Sequence, residues 1–223
     1  MTQIQAFFWD YDNTILETVE AHIHKHRVIL AKNGIELSDA FHQRIYENNG
    51  YQNWAWMKEE LGLKVAQKEY LEAVDTEFQR HLETLEMRPG VAELFKLIDG
   101  LDIPQAIVTN ARRNSAEPVL RAKNILPMMQ FVLFKEDYEG KKPDPMPYLT
   151  GFKKMESLLE VPLEPKRCIA IEDDPKGVES ANKAGAIVIH RRLRETEAPS
   201  PYAHYSCFHE EDFIRIVRAL ILI

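Results

Sequence analysis

The chain has 223 residues, of which 45% are hydrophobic and 28% charged, so it is long enough to bury a substantial apolar core. Its formal net charge of -7 argues against a broad nucleic-acid-binding face. No stretch approaches the roughly 20 apolar residues of a membrane helix. Only Cys168 and Cys207 occur, too few for a disulfide framework. We therefore expect a soluble cytoplasmic protein without a nucleic-acid or membrane partner.

The first predicted element is an apolar strand from Ile4 to Trp9, which ends at the loop Asp10-Tyr11-Asp12-Asn13-Thr14. Asp10 and Asp12 are two residues apart, so their side chains share a face if the chain stays extended. Carboxylates this close repel each other unless a cation, a proton or a hydrogen-bond network compensates their charge. Because Mg²⁺ prefers oxygen ligands, the pair predicts a magnesium site at the end of this strand.

The next predicted region, from Glu17 to Glu86, is a helical bundle, since its apolar residues recur at helical spacing and strand signals are scarce. From Met87 onward, short apolar strands alternate with helices. The predicted strands cover 106–108, 131–134, 168–171 and 186–189, and the predicted helices 91–99, 115–124, 147–159, 177–184 and 211–222. Such alternation predicts an α/β fold, with a Rossmann-like, doubly wound parallel sheet and helices on both faces.

Four polar clusters follow the predicted strands or approach the next helix. They are Asp10 to Thr14, Thr109-Asn110, Lys142, and Glu172 to Asp174. In a doubly wound sheet the carboxyl ends of the strands meet at one edge, so we expect these clusters to converge there. Together they offer acids, a hydroxyl, an amide and a fixed cation, a set that suits phosphoryl transfer.

Each cluster can supply one requirement of that reaction. Asp10 would attack phosphorus and form an aspartyl phosphate. Asp12 would protonate the leaving oxygen and then activate water. Lys142, which we favour over its neighbour Lys141, would join Mg²⁺ in neutralising the phosphoryl oxygens.

The order and spacing of four motifs resemble those of the haloacid dehalogenase superfamily, in the branch with an α-helical cap inserted after the first motif. Asp10 to Thr14 resembles the DxDGT motif, and Ile107 to Asn110 resembles the second motif. Lys142-Pro143-Asp144-Pro145 resembles the third, KPxP, and the run from Ile171 to Gly185 resembles the fourth. The resemblance implies a core domain of residues 1–16 and 87–223, and a cap domain of residues 17–86.

The resemblance also implies the roles of individual residues. Asp10 is the nucleophile, and Mg²⁺ is held by the side chains of Asp10 and Asp173 and by the backbone carbonyl of Asp12. Glu172 is expected to be an additional metal ligand or to support the other ligands. Thr109 and Asn110 are expected to hold the phosphate.

Three positions bear on how the family pattern applies to this chain. Asn13 stands where the motif has glycine, which is tolerable because Asn visits positive φ more readily than most residues, and we expect it beside the phosphate. Asp174 stands where related sugar-phosphate enzymes often have Ser. How Glu172, Asp173 and Asp174 divide the coordination of the metal ion is therefore left open. Asp12 is absent from the dehalogenases of the superfamily, so a phosphate substrate is favoured over a haloacid.

Several residues outside the motifs are candidates for the substrate side. His22 occupies the position of a histidine near the leaving group in related enzymes, and Arg112 follows the second motif. The cap aromatics Tyr51, Trp54 and Trp56 are either pocket residues or, more commonly at this spacing, core residues. His22, His24 and His26 do not predict a metal cluster, because alternate positions on a helix point to different sides.

The sequence thus predicts a Mg²⁺-dependent phosphatase for a small phosphorylated metabolite, acting as a monomer or dimer. The first alternative is a phosphomutase like β-phosphoglucomutase, which needs a cation on the cap for a second phosphate. Those mutases carry an arginine shortly after the glycine that corresponds to Gly50, where this chain has Gln52. The second alternative is a non-catalytic phosphate-binding module. Glycolate phosphate, sugar phosphates and nucleotides all stay open as substrates.

Overall fold

The computed structural model describes residues 4–222, so the first three residues and the last residue of the predicted core lie outside the described part. The chain divides into two compact units. The first comprises Met1–Leu16, Met87–Arg113 and Asn124–Ile223, and the second comprises Glu17–Glu86 and Asn114–Lys123. The sequence analysis predicts a core of residues 1–16 and 87–223, which includes residues 114–123, whereas this division places residues 114–123 with the helical residues 17–86.

The first unit is built on a six-stranded, fully parallel sheet with the strand order β3-β2-β1-β4-β5-β6. The strands are β1 (Ala6–Trp9), β2 (Gln105–Val108), β3 (Phe131–Leu133), β4 (Cys168–Glu172), β5 (Ile187–Arg191) and β6 (Tyr205–Cys207). Every residue of β1, β2 and β4 is buried, as expected for central strands covered on both faces.

Nine α-helices lie within residues 4–222. They are α1 (Val19–Lys32), α2 (His42–Glu47), α3 (Gly50–Glu60), α4 (Gln67–Gln79), α5 (Val91–Asp99), α6 (Arg113–Ala122), α7 (Met146–Leu159), α8 (Pro175–Lys183) and α9 (Glu210–Ile221). None of these described helices combines the length and the apolarity that crossing a bilayer requires.

Successive residues of β1 show how helices cover both faces of the sheet. Phe8 points to one face, where its ring packs edge-on against Phe152 of α7 at 4.9 Å between centroids. Trp9 points to the other face and packs against Phe95 of α5 at 4.8 Å and Phe213 of α9 at 6.3 Å. This alternation follows from the period of two along a strand, and it confirms the predicted doubly wound arrangement.

The second unit has its own apolar core, formed by residues of α1 to α4 and their connections. Its buried members are Ile29, Leu30, Leu37, Ile45, Trp56, Met57, Leu63, Tyr70, Leu71 and Val74. Gly34 and Gly62 follow α1 and α3 with φ of 74° and 72°, as suits glycine at a helix end. The predicted helical bundle is therefore present.

The predicted and observed elements differ in two places that matter for the fold. The sequence analysis did not predict β6, a three-residue edge strand whose residues Tyr205 and Ser206 are polar and partly exposed. Glu172, predicted to begin a loop, is instead the last residue of β4 and pairs with His190 of β5. Cys168 and Cys207 are both buried and carry free thiols.

Candidate active site

The register of the sheet brings the predicted polar clusters to one edge of the first unit. Trp9 of β1 is aligned with Ile107 of β2 and with Ile171 of β4. Each strand therefore ends at nearly the same level, with Asp10 following β1 and Thr109 following β2. Because parallel strands all expose their carboxyl ends on the same side, residues far apart in sequence meet there.

Lys142 lies at the centre of this edge and contacts two carboxylates. Its Nζ is 2.5 Å from Oδ1 of Asp10 and 2.6 Å from Oε1 of Glu172, and it also donates to the carbonyl of Val108 at 2.7 Å. The hydroxyl of Tyr148 in α7 donates to the same Glu172 carboxylate. All four side chains that take part are buried, so their charges interact strongly.

Burial and charge shift the pKa values of this group in directions that the contacts explain. Burial raises the pKa of Asp10 to about 6, although Lys142 opposes the rise. Burial likewise raises the pKa of Glu172 well above its usual range. Burial alone would lower the pKa of Lys142, but Asp10 and Glu172 reverse the effect and raise it. Lys142 therefore stays a cation, whereas burial shifts both Asp10 and Glu172 towards their protonated forms.

Asp173 and Asp174 are neighbours in the sequence, but their side chains have different hydrogen-bond partners. The sequence alone did not distinguish their functions. Oδ1 of Asp173, a buried residue, accepts a hydrogen bond of 3.0 Å from the hydroxyl of Thr14. Asp174 is the N-cap of α8, where its side chain accepts from the backbone N–H of Lys176 at 3.1 Å. Asp174 thus has the ordinary capping function of an Asp at a helix start.

His190, at the end of β5, is a buried residue of this edge that the sequence analysis missed. Its Nδ1 accepts from the backbone N–H of Ser200 at 3.1 Å, so the proton of the neutral ring is on Nε2. That Nε2 lies 2.9 Å from the carbonyl oxygen of Asp173 and donates to it. Burial lowers the pKa of His190, which keeps this tautomer neutral. The ring therefore fixes the backbone that carries Asp173.

Thr109 and Asn110 lie beside Lys142 in the loop after β2. The carbonyl of Thr109 and Oδ1 of Asn110 both accept from the hydroxyl of Tyr138, at 2.6 and 3.0 Å. Oδ1 of Asn110 also accepts from the backbone N–H of Lys142 at 3.3 Å. The side chain of Thr109 accepts from the backbone N–H of Ala111 at 3.0 Å, which shapes a tight turn at the strand end.

The loop after β1 is held by Arg88, another residue that the sequence analysis did not select. Asn13 adopts a φ of 52°, the left-handed conformation expected for a residue in the place of glycine. The buried guanidinium of Arg88 donates to the carbonyl of Asn13 at 2.7 Å, and to the carbonyls of Arg191 and Arg192 at 3.0 Å each. The guanidinium group has several N–H donors, so it can bind three carbonyls and join two backbone segments in this way. Asp12 is half-buried in the same loop.

The buried acids form a set that suits a divalent cation. Asp10, Glu172 and Asp173 each offer one carboxylate oxygen, and these atoms lie within 4.8 Å of one another. If all three are ionised, Lys142 leaves two negative charges uncompensated, which a divalent ion would balance. A set of carboxylate oxygens without imidazole or thiolate matches the preference of Mg²⁺.

The remaining predicted substrate residues are placed as follows. His22, in the second unit, stacks on Phe78 with ring centroids 4.7 Å apart. Arg112 is half-buried in the first unit, whereas its neighbour Arg113 is held by Asp137 at 2.7 Å. Neither placement tests a role in substrate binding, so both roles stay predictions.

The cap aromatics divide between core and surface. Trp56 lies in the apolar core of the second unit, and Trp54 packs partly against it while donating to the carbonyl of Val65 at 2.9 Å. Tyr51 is 47% exposed. Gln52 forms a capping box with Asn49 at the start of α3. The uncharged Gln52 therefore has a local structural function.

The residues that the sequence analysis missed do not share one sequence signal. His190 lies in the largely apolar strand β5, close to its carboxyl end. Tyr148 lies near the start of α7, and Arg88 follows the helical insertion. A search for polar side chains near the ends of all strands would have included His190. No local pattern indicates that Tyr148 reaches Glu172.

The chain is similar in sequence to a family of known hydrolases. A sequence model described as haloacid dehalogenase-like hydrolase matches residues 7–190. Protein CbbY of Rhodobacter capsulatus is 25% identical over 222 residues, covering 95% of this chain and 92% of that protein. N-acetylmuramic acid 6-phosphate phosphatase of Pseudomonas putida is 24% identical over 188 residues, covering 82% and 80%.

A solved structure shows the same fold. The crystal structure of CbbY from Rhodobacter sphaeroides in complex with phosphate superposes with a TM-score of 0.81. It is 20% identical and covers 95% of this chain and 96% of that one. This likeness confirms the predicted α/β fold. The family model and the sequence relatives named as phosphatases confirm the predicted class of enzyme, a hydrolase of the phosphatase kind.

Proposed function

Because the chain belongs to the haloacid dehalogenase-like hydrolase family, we propose that it is a Mg²⁺-dependent phosphatase acting through an aspartyl phosphate. The observation that carries this proposal is the position of Lys142. Its ammonium group lies 2.5 Å from Asp10 and 2.6 Å from Glu172, in a buried cluster that also holds Asp173. A nucleophile beside a fixed cation and a set of metal-ligating acids is what phosphoryl transfer requires.

The reaction would proceed in two displacements. A carboxylate oxygen of Asp10 attacks phosphorus, and the bond between phosphorus and the ester oxygen breaks. Asp12 gives its proton to the leaving oxygen, so the alcohol departs neutral. Asp12 then takes a proton from water as that water attacks the aspartyl phosphate. Inorganic phosphate leaves and the Asp10 carboxylate is regenerated.

The other residues of the edge would bind and orient the phosphate. Lys142 neutralises part of the charge on the phosphoryl oxygens and on Asp10, which lets two anions approach each other. Thr109, Asn110 and Asn13 would contact the phosphate. The turn at Thr109, the hydrogen bonds to Asn110 and the left-handed conformation of Asn13 support these assignments.

Mg²⁺ would be held by the side chains of Asp10 and Asp173 and by the backbone carbonyl of Asp12, with Glu172 beside them. When bound, the ion would supply electrostatic stabilisation of the phosphoryl oxygens. Glu172 is already engaged by Lys142 and Tyr148, so we assign it to orienting Lys142 and to balancing charge. His190 would keep Asp173 in place through its backbone carbonyl.

We propose that residues 17–86 act as a cap that selects the substrate, and that His22 and Arg112 contribute to substrate binding. The substrate would be a small phosphate ester. A cytoplasmic location, and a monomeric or dimeric state, stay predictions from the sequence.

The test is a comparison of the purified protein with its Asp10→Asn variant. Both are incubated with Mg²⁺ and an aryl phosphate, and then with a panel that includes glycolate phosphate, nucleotides and sugar phosphates such as N-acetylmuramic acid 6-phosphate. We expect the wild type to release inorganic phosphate and Asp10→Asn to release none. The exposed neighbour variant Lys141→Met is the control and should keep full activity.

Three further readouts separate the alternatives. After acid quench with ³²P-labelled substrate, the wild type should carry a hydroxylamine-labile phosphoryl group that Asp10→Asn lacks. A mutase would instead convert a hexose 1-phosphate into the 6-phosphate, dependent on a bisphosphate, without release of inorganic phosphate. No turnover with any member of the panel, together with saturable binding of phosphate, would identify a binding module.

A further inference from the structure

A second cluster of metal-ligating side chains lies within the helical unit and has no part in the function proposed above. It consists of His24 in α1, Glu77 in the last turn of α4, and His81 just beyond the end of α4. One potential ligand atom from each residue lies within 4.8 Å of those of the other two. Tertiary packing creates this group, since 53 positions separate His24 from Glu77 in the sequence.

The two imidazoles face each other across a short distance. The rings of His24 and His81 have centroids 4.7 Å apart and are nearly perpendicular, at 85°. Nε2 of His81 lies 3.5 Å from Oε1 of Glu77, four residues earlier. Side chains four apart around a helical turn are neighbours, which explains this contact. His24 and His81 are both accessible to an ion from solvent, because neither is buried.

Glu77 is buried, and its two carboxylate oxygens have different neighbours. Oε2 accepts from Arg80 at 2.8 Å and lies 3.7 Å from Nζ of Lys32, whereas Oε1 is on the side of His81. Burial alone would raise the pKa of Glu77, but Arg80 and Lys32 outweigh it and hold the pKa below its usual value. The carboxylate is therefore ionised and oriented, as outer contacts orient the ligands of metal sites.

We propose that His24, Glu77 and His81 bind Zn²⁺ or a similar first-row transition ion. Two imidazole nitrogens and one carboxylate oxygen form a ligand set that suits Zn²⁺ and not Mg²⁺ or Ca²⁺, which prefer oxygen alone. A tetrahedral ion with bonds of about 2.0 Å holds its ligands about 3.3 Å apart, so small rotations of the side chains close the site. Water completes the coordination.

Arg80 and Lys32 are positively charged, so they reduce the affinity of the cluster for a metal ion. Neither side chain occupies the position between the three ligands. Both side chains are more than half exposed, at 61% and 58%, so solvent screens their charges. Both also lie beside Oε2 of Glu77, whereas His81 lies beside Oε1. A bound ion would connect α1 with the end of α4 and thereby stabilise the helical unit, because it binds the folded form only.

The test is a calorimetric titration of the full chain with Zn²⁺ in excess Mg²⁺, which keeps the oxygen-only cluster of Asp10, Glu172 and Asp173 filled. We expect one equivalent of Zn²⁺ to bind, and at least a roughly tenfold loss of affinity in His24→Ala and in His81→Ala. His42→Ala is the matched control, since His42 is a partly exposed histidine of the same unit outside the cluster. It should bind Zn²⁺ like the wild type.

A second measurement needs no variant and so does not depend on the variants folding. Paramagnetic Ni²⁺ should broaden the ring resonances of His24 and His81 in the wild type before that of His42. The proposal is overturned if the wild type shows no saturable uptake of Zn²⁺, or if the two histidine variants bind as tightly as the wild type. Loss of Zn²⁺ binding in Asp10→Asn alone would also overturn it, because the ion would then sit among the carboxylates.

Discussion

The carboxylate of Glu172 fills the space beside Gly177 so closely that a Cβ atom on Gly177 would lie 2.1 Å from Oε2. Gly177 lies in the first turn of α8, three residues after the N-cap residue Asp174. A glycine inside a helix weakens that helix, so its presence here has a packing reason. Glu172 can take this position, and hold Lys142, only because Gly177 has no side chain.

We predict that Gly177→Ala displaces Glu172 and inactivates the enzyme. A shift of about 1 Å in a catalytic group can lower the rate about 100-fold, and overpacking costs about 1–3 kcal/mol of unfolding free energy. Phosphatase kinetics and urea denaturation measure both effects. The control is Gly151→Ala, where the added Cβ would meet only side-chain atoms of Val108 and Phe8, at 3.2 Å or more. Equal activity of the two variants would contradict the prediction.

Lys142→Met should lower stability strongly at high pH and less at low pH. Without the ammonium group two buried carboxylates lose their cation, which costs about 3–5 kcal/mol. The pKa of Asp10, already raised to about 6, should then rise further. A carboxyl whose pKa is higher in the folded protein contributes stability at low pH and loses it as pH rises through that pKa.

The measurement is the free energy of unfolding of this variant at pH 8 and pH 5, in buffer without Mg²⁺. The deficit relative to the wild type should shrink at pH 5. Lys141→Met changes an exposed lysine next to the site and should alter stability by no more than about 0.5 kcal/mol. A deficit for Lys142→Met that is independent of pH would show that the carboxylates do not respond to the loss of the cation.

His190→Ala should weaken the binding of Mg²⁺ more than it slows the reaction. The Nε2–H group of His190 holds the carbonyl of Asp173, and loss of such an outer contact typically lowers metal affinity about 10- to 100-fold. We expect the Mg²⁺ concentration for half-maximal activity to rise by that factor, with kcat at saturating Mg²⁺ largely kept. His209→Ala, an exposed histidine of the same unit, should leave both values unchanged.

The stability of the helical unit should fall below about pH 6.5 because of His26. Burial lowers the pKa of His26 well below its ordinary value, and its Nδ1 lies 2.5 Å from the hydroxyl of Tyr70. A histidine with a lowered pKa contributes stability above its unfolded pKa and loses it as pH falls. The loss is about 1.4 kcal/mol per pH unit, or about 2 kcal/mol at pH 5.

Unfolding by urea at pH 7.5 and pH 5 measures this effect. His26→Gln cannot titrate, so its stability should depend less on pH than that of the wild type. His42→Gln changes a partly exposed histidine of the same unit and should keep the dependence of the wild type. If His26→Gln and the wild type lose the same free energy between the two pH values, another group is responsible.

Most of the fold could be predicted from the sequence because its signals are local. The run from Phe7 to Trp9 is apolar without interruption, which indicates a strand covered on both faces, and the repeated strand and helix units imply parallel pairing. The edge strand β6 was missed because it has three residues and no apolar run. Short edge strands depend on pairing with a neighbour, which local pattern does not encode.

The candidate site was predictable to a similar extent. The motifs give Asp10, Thr109, Lys142 and Asp173 by their order, and the structure brings these residues to one edge of the sheet. The contacts of Tyr148, His190 and Arg88 were not predictable, since each depends on a particular side-chain packing. Tyr148 and Glu172, for example, are 24 residues apart and meet only when α7 packs on the sheet, where it contacts β1 and β2.

The sequence by itself determined the order of the elements, the family, and the residues from which the chemistry is drawn. These depend on the spacing of side chains along the chain, which the sequence states directly. The tertiary structure decided which acid has which neighbour: Glu172 meets Lys142, Asp173 meets Thr14, and Asp174 caps a helix. It also joined Lys142 to Asp10 across 132 positions, because the strand register, not the sequence spacing, sets distances between side chains at the edge of a sheet.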